Sequence, residues 1–345
     1  MKKIFAGLLV LVLMLGTMMG CSSEQKENAP KNTETEAKNE NLSEEEYVFI
    51  TAASSIEYFN AHKKGLQDAC KALGVKATIV GDDKVDAGTM SSLIEATIER
   101  GVAGIVLVGH FPDAYATLID RAWEKGIPVV TQTVDVPDSK RICFIGTDFY
   151  SYGMKQMDIM AEAIGGKGKI AISTSMDSGK AAIDSLNGMK DRAIEKYPEI
   201  EIVAVLEDKC QTDTAVSVIG ACLQANPDLS GILGAQSVSG IAAVTAAREA
   251  GILDKIKIIA VDRDIPTLEA IEAGEIYGTI CGKQYAEVYY GIKILFDYNH
   301  TKLLLSNDDK AAGLIGVPSY VDLGAISITK DNVKYFMGFA YDYER

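Results

Sequence analysis

The sequence predicts an α/β protein of two similar lobes, each a parallel β-sheet flanked by helices, joined by a hinge that the chain crosses more than once. Three observations carry this reading. From Tyr47 onward, short apolar β-rich runs alternate with amphipathic helical stretches, the pattern of parallel sheets covered on both faces. The strand candidates fall into two successive series, whereas a single open sheet of that many strands would be large. Asp148 follows the first series as a natural N-cap for a helix at Ser151, which puts a lobe crossing near Thr147-Asp148.

The first series comprises Tyr47 to Ala53, Lys76 to Val80, Gly104 to Val108, Pro128 to Thr131 and Arg141 to Ile145. The second comprises Lys169 to Ser173, Glu201 to Leu206, Gly231 to Gly234, Lys257 to Val261 and Tyr277 to Cys281. Between them the helical periodicity covers Asn60 to Leu73, Ala87 to Arg100, Ala114 to Lys125, Ser151 to Ile164, Gly179 to Lys196, Thr212 to Gln224, Ser239 to Glu249 and Ala286 to Asp297. Gly126-Ile127-Pro128 and Gly251-Ile252-Leu253 close helices in matching ways, a glycine leading back toward a strand. The tail is strand-like from Val317 to Ile328, and Thr329-Lys330-Asp331-Asn332 reads as a helix start. These boundaries assign 47–147 with about 282–310 to a first lobe, and 148–281 with about 311–345 to a second.

Ahead of the lobes, Lys2-Lys3 precedes an uncharged apolar run from Ile4 to Gly20 and then Cys21. A basic start, a short hydrophobic stretch and small or apolar residues before a processing point describe a secretory signal over 1–20. A permanent membrane helix fits less well, because the run is short for roughly 30 Å of hydrocarbon and acidic residues follow it. Residues 22–46 hold eight acidic residues and three lysines. Such a segment buries too little apolar surface to offset its ordering entropy, so 21–46 reads as an extended, self-repelling tether.

Composition narrows the function. Of the 345 residues 48% are hydrophobic and 24% charged, with a formal net charge of -14. A core of ordinary size is therefore available, and nucleic acid is excluded as a partner for want of a basic footprint. Six cysteines occur; apart from Cys21 they are Cys70, Cys143, Cys210, Cys222 and Cys281, without CxxC spacing or histidine partners. Buried free thiols are the expected state, and neither a metal nor a cofactor is called for. An enzyme is disfavoured too. Gly234-Ala235-Gln236-Ser237-Val238 breaks the nucleophile-elbow pattern, Gly168-Lys169 is not part of a P-loop, and the three histidines (His62, His110, His300) do not cluster in sequence.

In open α/β sheets ligands bind beyond the carboxyl ends of the strands. The residues leaving the strands include Tyr58 and Phe59, His110 and Phe111, Gln132-Thr133-Val134-Asp135, Ser175 to Lys180, Glu207 to Gln211, Gln236-Ser237, Asp262-Arg263-Asp264 and Gly282-Lys283-Gln284. Aromatic faces and hydrogen-bonding groups together suit a hydroxylated small molecule. Tyr58 and Phe59 could equally be first-turn core contacts, and Asp262 or Asp148 a helix cap. His110 could be a solvated loop histidine. The candidate ligand set is Tyr58, Phe59, His110, Phe111, Asp148, Gln236, Asp262 and Gln284.

Several phrases in order resemble the type 1 periplasmic binding proteins of bacterial ABC importers, in the ribose-binding-protein-like group. They are Tyr58-Phe59 with Gly65 and Ala69 to Val75, Gly126 to Thr131, Ile145 to Asp148, Gly165 to Ile170, Gln224 to Ile232, Ala260-Val261-Asp262 and Gly274 to Ile280. The Met18-Met19-Gly20-Cys21 run resembles a lipobox, which implies lipidation at Cys21 and a protein held on the outer face of the cell membrane. The resemblance implies two Rossmann-like lobes, the periplasmic binding protein-like I fold. It also implies a monomer that closes over a monosaccharide or similar ligand and presents it to an ABC permease. The alternative is a sensor whose closed form is read by a chemoreceptor or a membrane kinase. A transcription regulator of the same fold is disfavoured, since no helix-turn-helix precedes Tyr47. Family roles fall on Tyr58 and Phe59 (sugar stacking), Gln236 (hydroxyl recognition) and Asp262 (hydroxyl acceptor). The chain departs from the family pattern at Thr133-Val134, where an Asp-Arg pair is usual. It departs again at Cys210 (an aromatic), at Gly282 (a glutamine) and in the Ala181 to Asp184 helix start, which lacks an arginine.

Overall fold

The computed structural model describes residues 44–83, 85–301, 305–309 and 311–338. The export signal, the lipidation at Cys21 and nearly all of the tether lie outside these residues, as does the tail from 339 on.

A six-stranded parallel sheet forms first, from β1 (Glu46–Ala52), β2 (Lys76–Asp82), β3 (Gly104–Val108), β4 (Val129–Gln132) and β5 (Cys143–Gly146), with a late strand at its edge. Alternation along β1 explains why both faces are covered. Tyr47 and Phe49 enter one core with Leu66 of α1 (Asn60–Leu73) and Val288, Ile292 and Leu295 of α9 (Gln284–His300). Val48, Ile50 and Ala52 enter the opposite core with Met90 and Ile94 of α2 (Ala87–Arg100) and Tyr115 and Ile119 of α3 (Pro112–Glu124). Successive side chains of a strand point to opposite faces, so an apolar run like this one must be sandwiched. The strand already begins at Glu46, which pairs with Lys76; the tether therefore ends one residue before the sequence places it.

The second sheet runs β12-β10-β9-β8-β6-β7. Its parallel members are β6 (Gly168–Thr174), β7 (Ile200–Glu207), β8 (Leu229–Gly234), β9 (Lys257–Val261) and β10 (Gly278–Cys281); β12 (Ile326–Thr329) is antiparallel to β10. Helices α4 (Phe149–Ile164) and α5 (Lys180–Lys196) cover one face. Helices α6 (Thr212–Ala225), α7 (Ser239–Glu249) and α8 (Ile265–Ala273) cover the other. α4 and α5 touch backbone to backbone at two glycines. A Cβ on Gly153 would lie 1.9 Å from the Ser185 carbonyl oxygen, and one on Gly188 2.0 Å from that of Tyr150.

The chain passes between the sheets at three places, after Gly146, after Cys281 and after Asp322. The third corrects the sequence reading of the tail. Tyr320–Asp322 is β11, a parallel edge strand on β5 of the first sheet, and only Ile326–Thr329 joins the second. One strand-like stretch therefore divides between two sheets, and the segment from 311 to 322 does not belong with the second lobe. Strands of three and four residues leave too short an alternation to signal the switch. The helix start read at Thr329 closes as a tight turn instead. Asn332 Oδ1 accepts from the Thr329 amide at 2.8 Å, and a single 3-10 turn (Val333–Tyr335) follows.

Candidate functional site

The parallel strands of each lobe direct their carboxyl ends, and hence the loops leaving them, toward the hinge side of the molecule. In the first lobe β1 ends in a left-handed residue, Ala53 (φ 50°), and a 3-10 turn over Glu57–Phe59. The turn sends its two aromatics in different directions. Tyr58 keeps 39% of its surface exposed, whereas Phe59 is 3% exposed and packs beside Phe49, His62 and His110. Phe59 thus supports the site from within the core, which replaces the stacking role read for it from sequence. Phe111 is likewise turned to packing, edge-on to Tyr115 at 5.8 Å. His110 lies partly buried with Nε2 3.4 Å from the Thr51 hydroxyl, and desolvation lowers its pKa, favouring the neutral ring.

The Tyr58 hydroxyl lies near the side chains of Thr133 and Gln284. Burial of that hydroxyl pushes its pKa far up, and the charges of Glu287 and Asp262 push it further. Asp262 belongs to the other lobe, so Tyr58 lies within electrostatic range of a second-lobe carboxylate. Thr133 sits at φ 59°, a conformation that turns its hydroxyl toward Glu287 Oε2 at 3.0 Å and toward the Gln132 amide. Glu287 (3% exposed) also lies 3.4 Å from Nε2 of the fully buried His62, whose Nδ1 is 3.3 Å from the Tyr58 carbonyl. Asp135, two residues beyond Thr133, leaves the site altogether. Its carboxylate is held by the Arg141 guanidinium at 2.5 and 2.6 Å and by the Thr131 hydroxyl at 2.7 Å.

In the second lobe a buried carboxylate organises the loops. Asp208 is 0% exposed and accepts from Ser173 at 2.8 Å, Ser239 at 2.6 Å and the Cys210 amide at 2.9 Å. Cys210 is thereby presented to Ser178 at 3.2 Å and to Gln236 Oε1 at 3.4 Å, while Gln236 Nε2 reaches Thr174 at 3.4 Å. Asp262 follows β9 at φ 65° and accepts from Ser237 at 2.5 Å. The cap of α8 is Asp264, whose carboxylate accepts from the Thr267 amide at 3.1 Å; Asp262 has no capping duty. Burial, together with Asp264, raises its pKa against the opposing influence of Ser237 and Arg263.

Asp148 takes a different place from the one expected. It caps α4, accepting from the Ser151 amide at 2.7 Å, and its other oxygen accepts from Tyr320 at 3.3 Å. It is a hinge residue whose carboxylate is committed to the fold. Tyr58 and Gln284 on the first lobe and Gln236 and Asp262 on the second thus follow strand ends, and His110 leaves β3 beside Phe59. Sequence reasoning named Gln132 among the strand exits without placing it in the candidate set, and did not single out Thr147, His62 or Glu287 for this region. The first two follow directly from strand ends; the last two lie inside helical periodicity that marks them only as buried positions.

Residues 47–302 match the model of the periplasmic binding protein domain. The chain belongs to that family. It is similar to the xylitol-binding protein of Mycolicibacterium smegmatis, at 25% identity over 83% of this chain and 78% of that protein. Among solved structures it resembles a sugar ABC transporter sugar-binding protein from Bacillus halodurans, at 28% identity with a TM-score of 0.80, covering 85% of this chain and 99% of the other. A structure described as a XylFII–LytSN complex matches at 25% identity and a TM-score of 0.67, covering 84% and 99%. Family and fold thus agree with the type 1 architecture that the sequence phrases resemble.

Proposed function

We propose that this periplasmic binding protein captures a small polyhydroxylated ligand, a sugar or sugar-like polyol, between its lobes and delivers it unaltered to an ABC-type permease. It does so as a monomer tethered through a lipid on Cys21 to the outer face of the membrane. The observation that carries this reading is the set of aromatic and polar residues at strand ends of both lobes, Tyr58 and Gln284 on the first and Gln236 and Asp262 on the second. An aromatic face stacks on C–H surfaces, while the carboxylate and amides satisfy hydroxyls. A ligand that bridges these groups has its hydrogen bonds completed only when the lobes are closed, so it shifts the population toward the closed form that a permease can recognise. The similarities to xylitol-binding and sugar ABC transporter proteins support the ligand class and the transport role.

Calorimetric titration with xylitol, D-xylose, D-ribose and D-arabinose tests it. Saturable binding of one molecule per chain is expected for at least one of them, and heatless titrations throughout would contradict the reading. A second reading replaces the permease with a signalling receptor that reads the same closed surface. The XylFII–LytSN complex supports it, as a similar protein found together with a second protein.

A further inference from the structure

Three side chains at the hinge end of the cleft are almost wholly enclosed yet keep a polar atom without a hydrogen-bond partner among the described residues. They are Gln132 Nε2, Thr147 Oγ1 and Gln284 Oε1. Gln132 is 0% exposed, Thr147 5% and Gln284 7%. An enclosed polar group left unmatched costs roughly 1–3 kcal/mol, so several in one place are a strong departure from ordinary packing.

They also converge. A Cβ placed on Gly282 would find Thr147 Oγ1 at 3.1 Å, Gln284 Nε2 at 3.6 Å and Glu287 Oε1 at 3.7 Å as its nearest heavy atoms. The bare face of Gly282 therefore opens onto polar atoms contributed by two of the three crossings. Glu287 connects this point to Gln132, because the Thr133 hydroxyl touches both.

We propose that Gln132, Thr147 and Gln284, around Gly282, form a specificity subsite that receives one uncharged hydroxyl at the end of the ligand. The inference rests on the carbohydrate reading above. Its chemistry selects a hydroxyl among small end groups. The amide of Gln284 offers an acceptor, that of Gln132 a donor, and Thr147 either, which matches a group that both donates and accepts. A carboxylate would face Glu287, and an ammonium would meet the Gln132 donor. Whichever way the Gln132 amide is turned, one of its ends remains free for this purpose.

The test is calorimetric titration of the full chain and its Thr147→Val, Gln284→Met and Asp262→Asn forms with the four probes named above. Each probe that binds is then compared with its monodeoxy analogues. Removing one particular hydroxyl should weaken binding to the wild type at least tenfold. Thr147→Val and Gln284→Met should weaken the parent compound similarly while binding that deoxy analogue as the wild type does. Parent affinity unchanged in both variants, or loss of equal size for the parent and every deoxy analogue, overturns the subsite and leaves the carbohydrate reading standing, provided Asp262→Asn impairs binding. Failure of the wild type to bind any probe overturns both. Thr147→Val is nearly isosteric and buries no new volume, so it reports even if Gln284→Met misfolds.

Discussion

The Asp148 amide donates to the Asp322 carboxylate at 3.1 Å, joining the first crossing of the hinge to the third. Asp322 also accepts from Gly324 at 2.7 Å, and Tyr320 reaches Asp148 from the same strand. The first and last crossings are thus tied together, and the second crossing, after Cys281, is left as the other strap. Asp322→Ala should release this tie. We expect a loss of about 1 kcal/mol, seen as a fall in melting temperature of ~2–4 °C, together with altered ligand affinity through the open–closed balance. A melting temperature and an affinity both equal to those of the wild type would show the contact to be inert.

Asp262→Asn is the cleaner probe of the ligand acceptor. The residue sits at φ 65°, where asparagine is tolerated better than alanine, so the fold should be preserved while the charge is lost. Ligand affinity should fall by an order of magnitude or more, as for loss of a charged hydrogen-bond acceptor worth ~1.5–3 kcal/mol. Since burial and the neighbouring Asp264 raise the Asp262 pKa above 3.8, wild-type binding should weaken on acidification from above the ordinary carboxylate range. The asparagine form should lack that dependence. Titrations across pH for both forms provide the check.

Gly153→Ala tests the α4–α5 contact. The new methyl would sit 1.9 Å from the Ser185 carbonyl oxygen, so the helices must separate. Overpacking of this kind costs typically 1–3 kcal/mol, and denaturant unfolding should show at least that loss. An unchanged midpoint would mean that the helices are not so closely apposed.

Asp158, on α4, ties that helix to α5. Burial opposes its ionisation, but Arg192, Tyr197 and Lys196 outweigh it and hold the carboxyl at about 2. The folded value lies below the unfolded one near 3.9, so the stability it contributes is complete above about pH 4 and disappears as pH falls through about 2. Asp158→Asn should therefore destabilise by ~1–2 kcal/mol at pH 7, a figure reduced for partial solvent screening. The difference from wild type should vanish toward pH 2, which melting curves at several pH values will show.

Thiol reactivity maps the cleft. Cys210 is exposed, while Cys70, Cys143, Cys222 and Cys281 are buried. Burial pushes Cys70 and Cys281 up to about 12 and Cys143 to about 11, leaving them as poorly nucleophilic thiols. N-ethylmaleimide on the native protein should modify Cys210 well ahead of those four by peptide mapping. A bound ligand should slow the reaction, because Cys210 contacts Gln236.

Much of this was legible in the sequence because its signals are local. Runs such as Ile258-Ile259-Ala260-Val261 between helical patterns declare buried parallel strands, and Asp86, Asp148 and Gly126 punctuate helices through single residues. Tyr58, Gln236 and Asp262 were read as ligand candidates because strand ends are where such folds bind ligands, and the structure places them at those strand ends. Phe59 and Phe111 were misassigned because adjacent residues on a turn diverge, and sequence does not say which ring faces the core. His62 and Glu287 were invisible for a complementary reason: 225 positions separate them, and only the return of α9 onto the first lobe brings them together. The division of the tail between sheets rests on similarly distant pairing, Val321 with Ile145 and Ile328 with Thr279.

The central claim, that a carbohydrate is held between two lobes, is tested most directly by hydrogen–deuterium exchange with and without the probe that binds most tightly. Amides following β1 and β4 in the first lobe and those near Gln236 and Asp262 in the second should slow together on saturation. Protection confined to one lobe, or absent from both, would contradict the account.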